Sequence, residues 1–112
     1  MTPAPVVAGL PANVFFDTDS AAIKPEGTQS IRAVADAVKA AGTNIAVTAY
    51  TDRTGDLAHN EELAKNRAVA VRDALTAAGV PLASIEMRPP AIVEIGATGP
   101  DADARRVQIV TR

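Results

Sequence analysis

The chain has 112 residues, of which 47% are apolar and 21% charged, with a formal net charge of −2. This length and composition predict one globular domain rather than a disordered chain. The charge balance excludes the basic footprint of a nucleic-acid-binding protein. The chain has no cysteine, which excludes thiol catalysis, disulfides and thiolate metal sites. No apolar run reaches the roughly 18 residues that a membrane-spanning helix needs.

The N-terminal part of the sequence predicts a lead-in, a strand and a helix. Residues 1–11 contain three prolines and predict a linker before a domain that spans residues 12–112. A short strand is predicted over residues 13–16. Pro25 and Gly42 bound a helix, because proline favours the first helical turn and glycine the left-handed cap. The apolar stripe of this helix has helical spacing: Ile31, Val34, Ala35, Val38 and Ala41.

The middle of the sequence predicts a second strand and a second helix. The strand covers residues 45–50, and the helix covers residues 61–78 with Asn60 as its N-cap. Gly79 ends this helix. Three shorter strands follow, over residues 85–87, 91–95 and 106–111.

Strands and helices alternate in the order β-α-β-α-β, which predicts an α/β fold. The expected architecture is an α+β sandwich, a mixed sheet with two long helices packed on one face. Right-handed crossovers would lay the first two strands parallel, so that their carboxyl ends meet at one edge. Ligands of open α/β sheets bind at such an edge. Residues 17–19 and 51–52 are therefore expected on the same side of the domain.

The second predicted helix carries one charge that its apolar face does not explain. On a helical wheel, Arg67 falls near the middle of the face formed by leucines, alanines and valine. A buried guanidinium needs an anionic partner or a route to water. Helical side chains lean toward the helix N-terminus, so Arg67 should approach the loop that carries Asp52.

Two interpretations of Arg67 are open. In the first, Arg67 reaches water or pairs with a structural carboxylate such as Asp52. In the second, the two residues form a site for a zwitterion such as an amino-acid head group. Asp52 would then accept from the ammonium group, and Arg67 would bind the carboxylate through two parallel hydrogen bonds.

These residues also carry a family resemblance. The sequence resembles the signature of OmpA-like peptidoglycan-binding domains, which occur in OmpA-type porins, Pal lipoproteins and the flagellar stator protein MotB. The matching positions are Thr51-Asp52, Gly55, Asn60, Leu63 and Arg67-Ala68. Residues 14–20 resemble the first strand and loop of the family, and residues 105–107 its last strand. Ala49 and Tyr50 stand where the family usually has glycine and histidine.

The resemblance implies that the domain binds the peptide stem of peptidoglycan through its diaminopimelate residue. Asp52 would bind the free ammonium group and Arg67 the carboxylate at the same end. Leu63 would supply an apolar wall, while Thr18 and Asp19 would line the pocket. The full set of expected ligand-binding residues is Thr18, Asp19, Thr51, Asp52, Asn60, Leu63 and Arg67.

The implied role is non-enzymatic anchoring of a membrane-attached protein to the cell wall, in the periplasm. Membrane attachment would come only through other parts of an exported parent chain, and no cofactor or metal is expected. The segment that starts at Asp17 is a poor calcium loop, because its sixth and twelfth positions are Ala22 and Thr28. Arg105-Arg106 is expected on the surface of an edge strand. The alternative is a docking or dimerisation domain, possible as a homodimer, that has kept the fold and lost the ligand.

Overall fold

The computed structural model describes residues 10–17, 20–51, 56–92 and 105–112. The linker predicted over residues 1–11 lies mostly outside these ranges, although Leu10 packs against the core. A single turn of 3-10 helix, Leu82–Ser84, precedes the third strand. The helices and strands are β1 (Ala12–Phe15), α1 (Pro25–Ala41), β2 (Ile45–Thr51), α2 (Leu57–Ala77), β3 (Ile85–Met87), β4 (Ala91–Ile92) and β5 (Arg106–Thr111).

Helix α1 has the bounds that its end signals predict. Pro25 occupies the first turn, where its missing N–H group costs no hydrogen bond. Gly42 caps the helix in the left-handed region with φ 64°, and its N–H group donates to the Val38 carbonyl at 2.9 Å. Gly27 faces the sheet so closely that an added Cβ would lie 3.1 Å from a methyl group of Val14. This close approach seats α1 against β1.

Helix α2 begins one turn earlier than the sequence analysis placed it, and the N-cap assignment of Asn60 is wrong. The N-cap is Asp56, whose carboxylate accepts a hydrogen bond from the His59 N–H group at 3.3 Å. The Asn60 N–H group donates to the Asp56 carbonyl at 3.0 Å, so Asn60 already lies inside the helix. Aspartate and asparagine are about equally good N-caps, which is why the local signal did not distinguish the two positions.

The sheet is mixed, with the order β1-β5-β2-β3, and β4 pairs with the C-terminal end of β2. Strand β5 is antiparallel to both β1 and β2, which makes β1 and β2 parallel to each other as predicted. Strand β3 is parallel to β2. The expectation that Arg105-Arg106 lies at an edge strand is wrong, because β5 lies inside the sheet between β1 and β2.

Both helices pack on one face of the sheet, as the sequence analysis predicted. Along β1, β5 and β2, side chains that face the helices alternate with side chains that face away from them, as a pleated sheet requires. Among the described residues, no helix is long and apolar enough to cross a membrane. The largest fully buried side chains of the core are Val14, Ile31, Ile45, Val47, Val71, Leu75, Val80, Val107 and Ile109.

The sheet topology brings three chain segments to one end of the domain. Strands β1 and β2 both end there because they are parallel, and β5 begins there because it is antiparallel to both. Phe16, Thr51 and Arg105 therefore lie at the same end of the sheet. Helix α2 also starts at this end, since it follows β2 in the chain.

Candidate ligand-binding site

Arg67 is buried on α2 and faces the segment that follows β1. Only 3% of its surface is exposed. Its Nε donates to the Ser20 carbonyl at 2.8 Å, and its Nη2 donates to the Asp17 carbonyl at 3.0 Å. The guanidinium carbon lies 5.5 Å from the ring centroid of Phe16, within the range of a cation–π contact. The apolar face of α2 tolerates this charge because main-chain oxygens solvate it.

The segment after β1 is held from both sides by arginines. The Asp17 carbonyl accepts from the Ser20 N–H group at 3.2 Å as well as from Arg67. Arg105, next to the start of β5, donates from Nε to the Phe16 carbonyl at 3.1 Å. The Phe16 N–H group in turn donates to the Arg105 carbonyl at 2.8 Å. Helix α2 and strand β5 thus position the same short segment.

Lys24 forms ion pairs with two carboxylates beside this segment. Lys24 Nζ lies 3.3 Å from a carboxylate oxygen of Asp17 and 3.5 Å from one of Glu26. The hydrogen bond and charge of Asp17, followed by the charge of Glu26, raise the pKa of the Lys24 ammonium group. The Lys24 ammonium group is therefore positively charged near neutral pH, beside the segment that follows β1.

The structure describes only some of the other residues predicted to bind the ligand. Thr51 is the last residue of β2 and is buried, with 4% of its surface exposed. Leu63 and Asn60 are partly buried on α2, on the N-terminal side of Arg67. Thr18, Asp19 and Asp52 lie outside the described residues. The expected pairing of Asp52 with Arg67 therefore stays a prediction.

Tyr50 points away from the helices. Its hydroxyl donates to the Gln108 side-chain oxygen at 3.0 Å, and its ring packs against Arg106. Ala49, the other departure from the family pattern, is buried in the core instead. The bulk of Tyr50 is consequently placed on the opposite face of the sheet from Arg67.

The described part of the site offers cation and hydrogen-bond chemistry rather than metal ligation. No group of three or more histidine, cysteine, aspartate or glutamate side chains that could hold a metal ion occurs among the described residues. A guanidinium carries five donors in a rigid fork, which matches two oxygens of a carboxylate or of a phosphate group. Within the described residues, the Arg67 guanidinium donates hydrogen bonds to the main-chain carbonyls of Asp17 and Ser20.

Sequence reasoning missed the contacts that shape this site. Phe16, Ser20 and Arg105 shape the surroundings of Arg67 through a ring face and main-chain carbonyl contacts. Main-chain acceptors have no sequence signal, because every residue carries a carbonyl. Arg105 was expected on the surface of an edge strand, and nothing in the sequence identified the Phe16 carbonyl, just after β1, as its partner.

Comparison with known sequences assigns the chain to a protein family. A sequence model of the OmpA family matches residues 15–106 of the chain. This range includes the segment after β1, both helices and the start of β5. The chain belongs to the OmpA family, as the sequence resemblance indicated.

Similar proteins include several envelope proteins. The chain is 39% identical to outer membrane protein A of Bordetella avium over 82 residues, covering 70% of this chain and 42% of that protein. It is 31% identical over 99 residues to the peptidoglycan-associated lipoprotein of Pseudomonas aeruginosa, covering 85% of this chain and 59% of that protein. The probable lipoprotein YiaD of Escherichia coli is 38% identical over 76 residues, covering 67% of this chain and 35% of that protein. The chain thus spans about a third to three fifths of these relatives.

Solved structures share the fold. The peptidoglycan-associated lipoprotein from Burkholderia pseudomallei is similar with a TM-score of 0.76 and 29% identity, covering 89% of each chain. The cell wall anchor of the type VI secretion system from Pseudomonas aeruginosa is similar with a TM-score of 0.63 and 28% identity, covering 85% of this chain and 72% of that one. The two-helix mixed sheet described above is therefore the OmpA-like fold.

Proposed function

We propose that this domain binds peptidoglycan non-covalently through the diaminopimelate residue of the peptide stem. Arg67 binds the carboxylate at the free end of diaminopimelate, and Asp52 binds the ammonium group. Thr18, Asp19, Thr51, Asn60 and Leu63 line the rest of the pocket. The domain performs no chemistry on the ligand and needs no cofactor.

The observation that carries this proposal is the buried guanidinium at the end of the sheet where β1 and β2 end and β5 begins. Two main-chain carbonyls and the Phe16 ring hold Arg67 in one orientation. A preorganised guanidinium loses little freedom when it binds a carboxylate. The names of two relatives, a peptidoglycan-associated lipoprotein and a cell wall anchor, support the choice of polymer.

The cellular role follows from the same reasoning. The domain holds a membrane-attached parent protein to the cell wall in the periplasm, with the membrane anchor elsewhere in that protein. A few charge-assisted hydrogen bonds contribute about 1.5–3 kcal/mol each, which gives roughly micromolar to millimolar affinity. A polymer that presents many copies of the stem makes this affinity sufficient for anchoring.

A second candidate function is protein docking or homodimerisation without a ligand. It is favoured by the hydrogen bonds of Arg67 to Asp17 and Ser20, which also suit a purely structural brace. In that case the guanidinium would serve only to fix the segment after β1. The domain would then show no ligand-dependent stabilisation and no retention on cell-wall sacculi.

The test is an NMR titration of the isotope-labelled domain with a diaminopimelate stem peptide, with the lysine-containing stem as control. We expect saturable amide shifts around Asp52, Leu63 and Arg67 with the first peptide only. Asp52→Asn should weaken binding by about tenfold or more, because a charged contact is lost. Arg67→Lys should do the same, because lysine keeps the charge without the planar fork.

Arg72→Lys provides the matched control. Arg72 lies on the same helix and pairs with Asp73 at 3.0 Å. This variant should bind the stem peptide as the wild type does. Folded variants of Asp52 and Arg67 with unchanged affinity would refute the site assignment, and silence from both peptides at millimolar concentration would favour the docking function.

A further inference from the structure

The sheet face that the helices leave uncovered carries a compact group of aromatic and polar side chains. They form two rows across β1, β5 and β2, in strand register. From strand spacing and rise, the group measures about 10 Å across the strands and about 7 Å along them. We call this group the outer-face platform, and its members are Asn13, Phe15, Thr48, Tyr50, Arg106 and Gln108.

Contacts within the outer-face platform hold its side chains in place. The Arg106 guanidinium carbon lies 4.2 Å from the Tyr50 ring centroid, and Arg106 Nη1 donates to the Asn13 side-chain oxygen at 3.0 Å. The Tyr50 hydroxyl donates to the Gln108 side-chain oxygen at 3.0 Å. Both amide oxygens are therefore used inside the platform, so that the amide NH₂ groups remain as donors. The platform offers mostly donors to a ligand.

Phe15 adds an exposed apolar surface to these donors. Its exposed fraction is 45%, and register pairs it directly with Arg106. The chain has only two phenylalanines, one tyrosine and no tryptophan. Two of these three rings, Phe15 and Tyr50, lie on the outer face although the core is built of aliphatic side chains. A protein poor in aromatic residues thus places most of them away from its core.

This combination fits an N-acetylated sugar. A pyranose ring presents a face of C–H groups that packs on an aromatic ring, as other apolar groups do. Its hydroxyl and acetamido oxygens accept hydrogen bonds from amide and guanidinium donors. The acetamido methyl group adds a further apolar contact. An exposed ring beside amide and guanidinium donors therefore matches this ligand class in polarity and in its apolar face.

The platform also borders the candidate ligand-binding site. Phe15 directly precedes the segment that Arg67 and Arg105 hold, and Tyr50 directly precedes Thr51. We propose that the outer-face platform binds the N-acetylated sugar rings of the polymer whose peptide stem occupies the candidate site. This inference rests on the proposed function, since that function determines which polymer is presented to the platform.

The experiment compares three probes by NMR titration of the labelled domain. They are the free diaminopimelate stem peptide, the same peptide on its N-acetylglucosaminyl–N-acetylmuramyl disaccharide, and an N-acetylglucosamine oligomer without peptide. We expect the disaccharide-bearing peptide to bind about three- to tenfold more tightly than the free peptide, as one aromatic contact allows. It should also shift amides of residues 13–15, 106 and 108.

Phe15→Val tests the ring without removing a strand-favouring residue. It should abolish the advantage of the disaccharide and leave the affinity for the free peptide unchanged. Val69→Ala, at an exposed position of α2, is the matched control and should change neither affinity. A disaccharide that adds no affinity, or an advantage that survives in Phe15→Val, would overturn the platform and leave the proposed function intact.

Failure of the proposed function gives a different pattern. If neither peptide binds, the stem-peptide site is refuted, and the N-acetylglucosamine oligomer decides the platform alone. Shifts at residues 13–15 and 106 with the oligomer would support it, and their absence would refute it. Platform shifts that depend on protein concentration without any probe would show that two copies pack there, which would also overturn the proposal.

Discussion

Arg67 shows how a charged residue can belong to the core face of a helix. Its guanidinium is buried, yet two carbonyl oxygens at 2.8 and 3.0 Å replace the water it has lost. From the sequence alone, alanine at this position removes a charge from an apolar face and should be tolerated. The contacts predict the opposite, because the carbonyls of Asp17 and Ser20 would lose a donor that holds the segment.

The stability of Arg67→Ala is therefore a direct test at the scale of one residue. We expect the free energy of unfolding to fall by about 3 kcal/mol, since two hydrogen bonds from a charged donor are lost. Urea denaturation followed by circular dichroism measures this change. Arg72→Ala, which breaks only a surface pair, should change it by less than about 0.5 kcal/mol. Equal stability of the two variants would show that the hydrogen bonds of Arg67 to Asp17 and Ser20 do not stabilise the fold.

Glu86 gives a second prediction at this scale, in the pH dependence of one carboxyl group. The hydrogen bond from Arg88 Nε at 2.9 Å, aided by the Arg112 charge, lowers the pKa of Glu86. A lowered pKa stabilises the fold above the pKa of the unfolded chain, and that stabilisation is lost as pH falls through the folded value. An NMR titration of the carboxyl carbon should show a midpoint below that of an ordinary glutamate.

Arg88→Ala should move this midpoint upward, because the largest cause of the shift is removed. Asp36→Asn serves as control, since its partner Lys39 lies on α1. The control should leave the Glu86 midpoint where it is. An unchanged midpoint in Arg88→Ala would show that the hydrogen bond does not form in solution.

At the scale of whole elements, the bounds of a helix were predictable where only one residue could start it and only one could end it. Helix α1 has one proline at its start and one left-handed glycine at its end, so both bounds were predicted correctly. The start of α2 was misplaced because residues 57–60 are compatible with either a loop or a helical turn. Asp56 and Asn60 are both good caps, and the structure distinguishes them by two hydrogen bonds. The Asp56 carboxylate accepts from the His59 N–H group, and the Asn60 N–H group donates to the Asp56 carbonyl inside the helix.

The cap of α2 can be tested by substitution. Asp56→Ala should lower the free energy of unfolding by about 1 kcal/mol, because the carboxylate no longer accepts from the His59 N–H group. Asp56→Ser should restore most of this stability, since serine is also a good N-cap. Thermal or urea unfolding measures both. A serine variant as unstable as the alanine variant would contradict the capping role.

The candidate site was predictable only in part, for a physical reason. Arg67 was found because a charge in an apolar stripe violates helical amphipathicity, which is visible in any single sequence. Its partners were not found, because they are main-chain carbonyls of a segment about 50 positions away. Side-chain identity carries information about charge and size, but not about which backbone oxygen will lie nearby.

At the scale of the whole molecule, strand order was the least predictable property. The sequence predicted parallel β1 and β2, and this is correct. It did not predict that β5 lies between them, because β5 looks like any terminal strand with two arginines at its start. Val107 and Ile109 of β5 are both fully buried in the shared core, and such long-range packing has no local sequence signal.

The position of β5 predicts that the sheet depends on the last residues described. Deleting residues 105–112 should abolish the dispersed amide spectrum of a folded domain. Strand β1 would lose the strand with which it pairs, and β2 would lose its hydrogen-bonded neighbour on one side. Val110→Thr, a partly buried position that keeps a β-branched side chain, should preserve the dispersed spectrum. A native-like spectrum from the shortened chain would show that β1 and β2 can pair without β5.

The same topology has a consequence for biosynthesis. Ala12, near the start of the chain, pairs in register with Ile109, near its end. Synthesis delivers β1 before β5, so the sheet of this domain stays incomplete until β5 has been made. Contacts this distant along the chain also form slowly after release. The fold of this domain therefore closes only after β5 has been delivered, however early β1 becomes available.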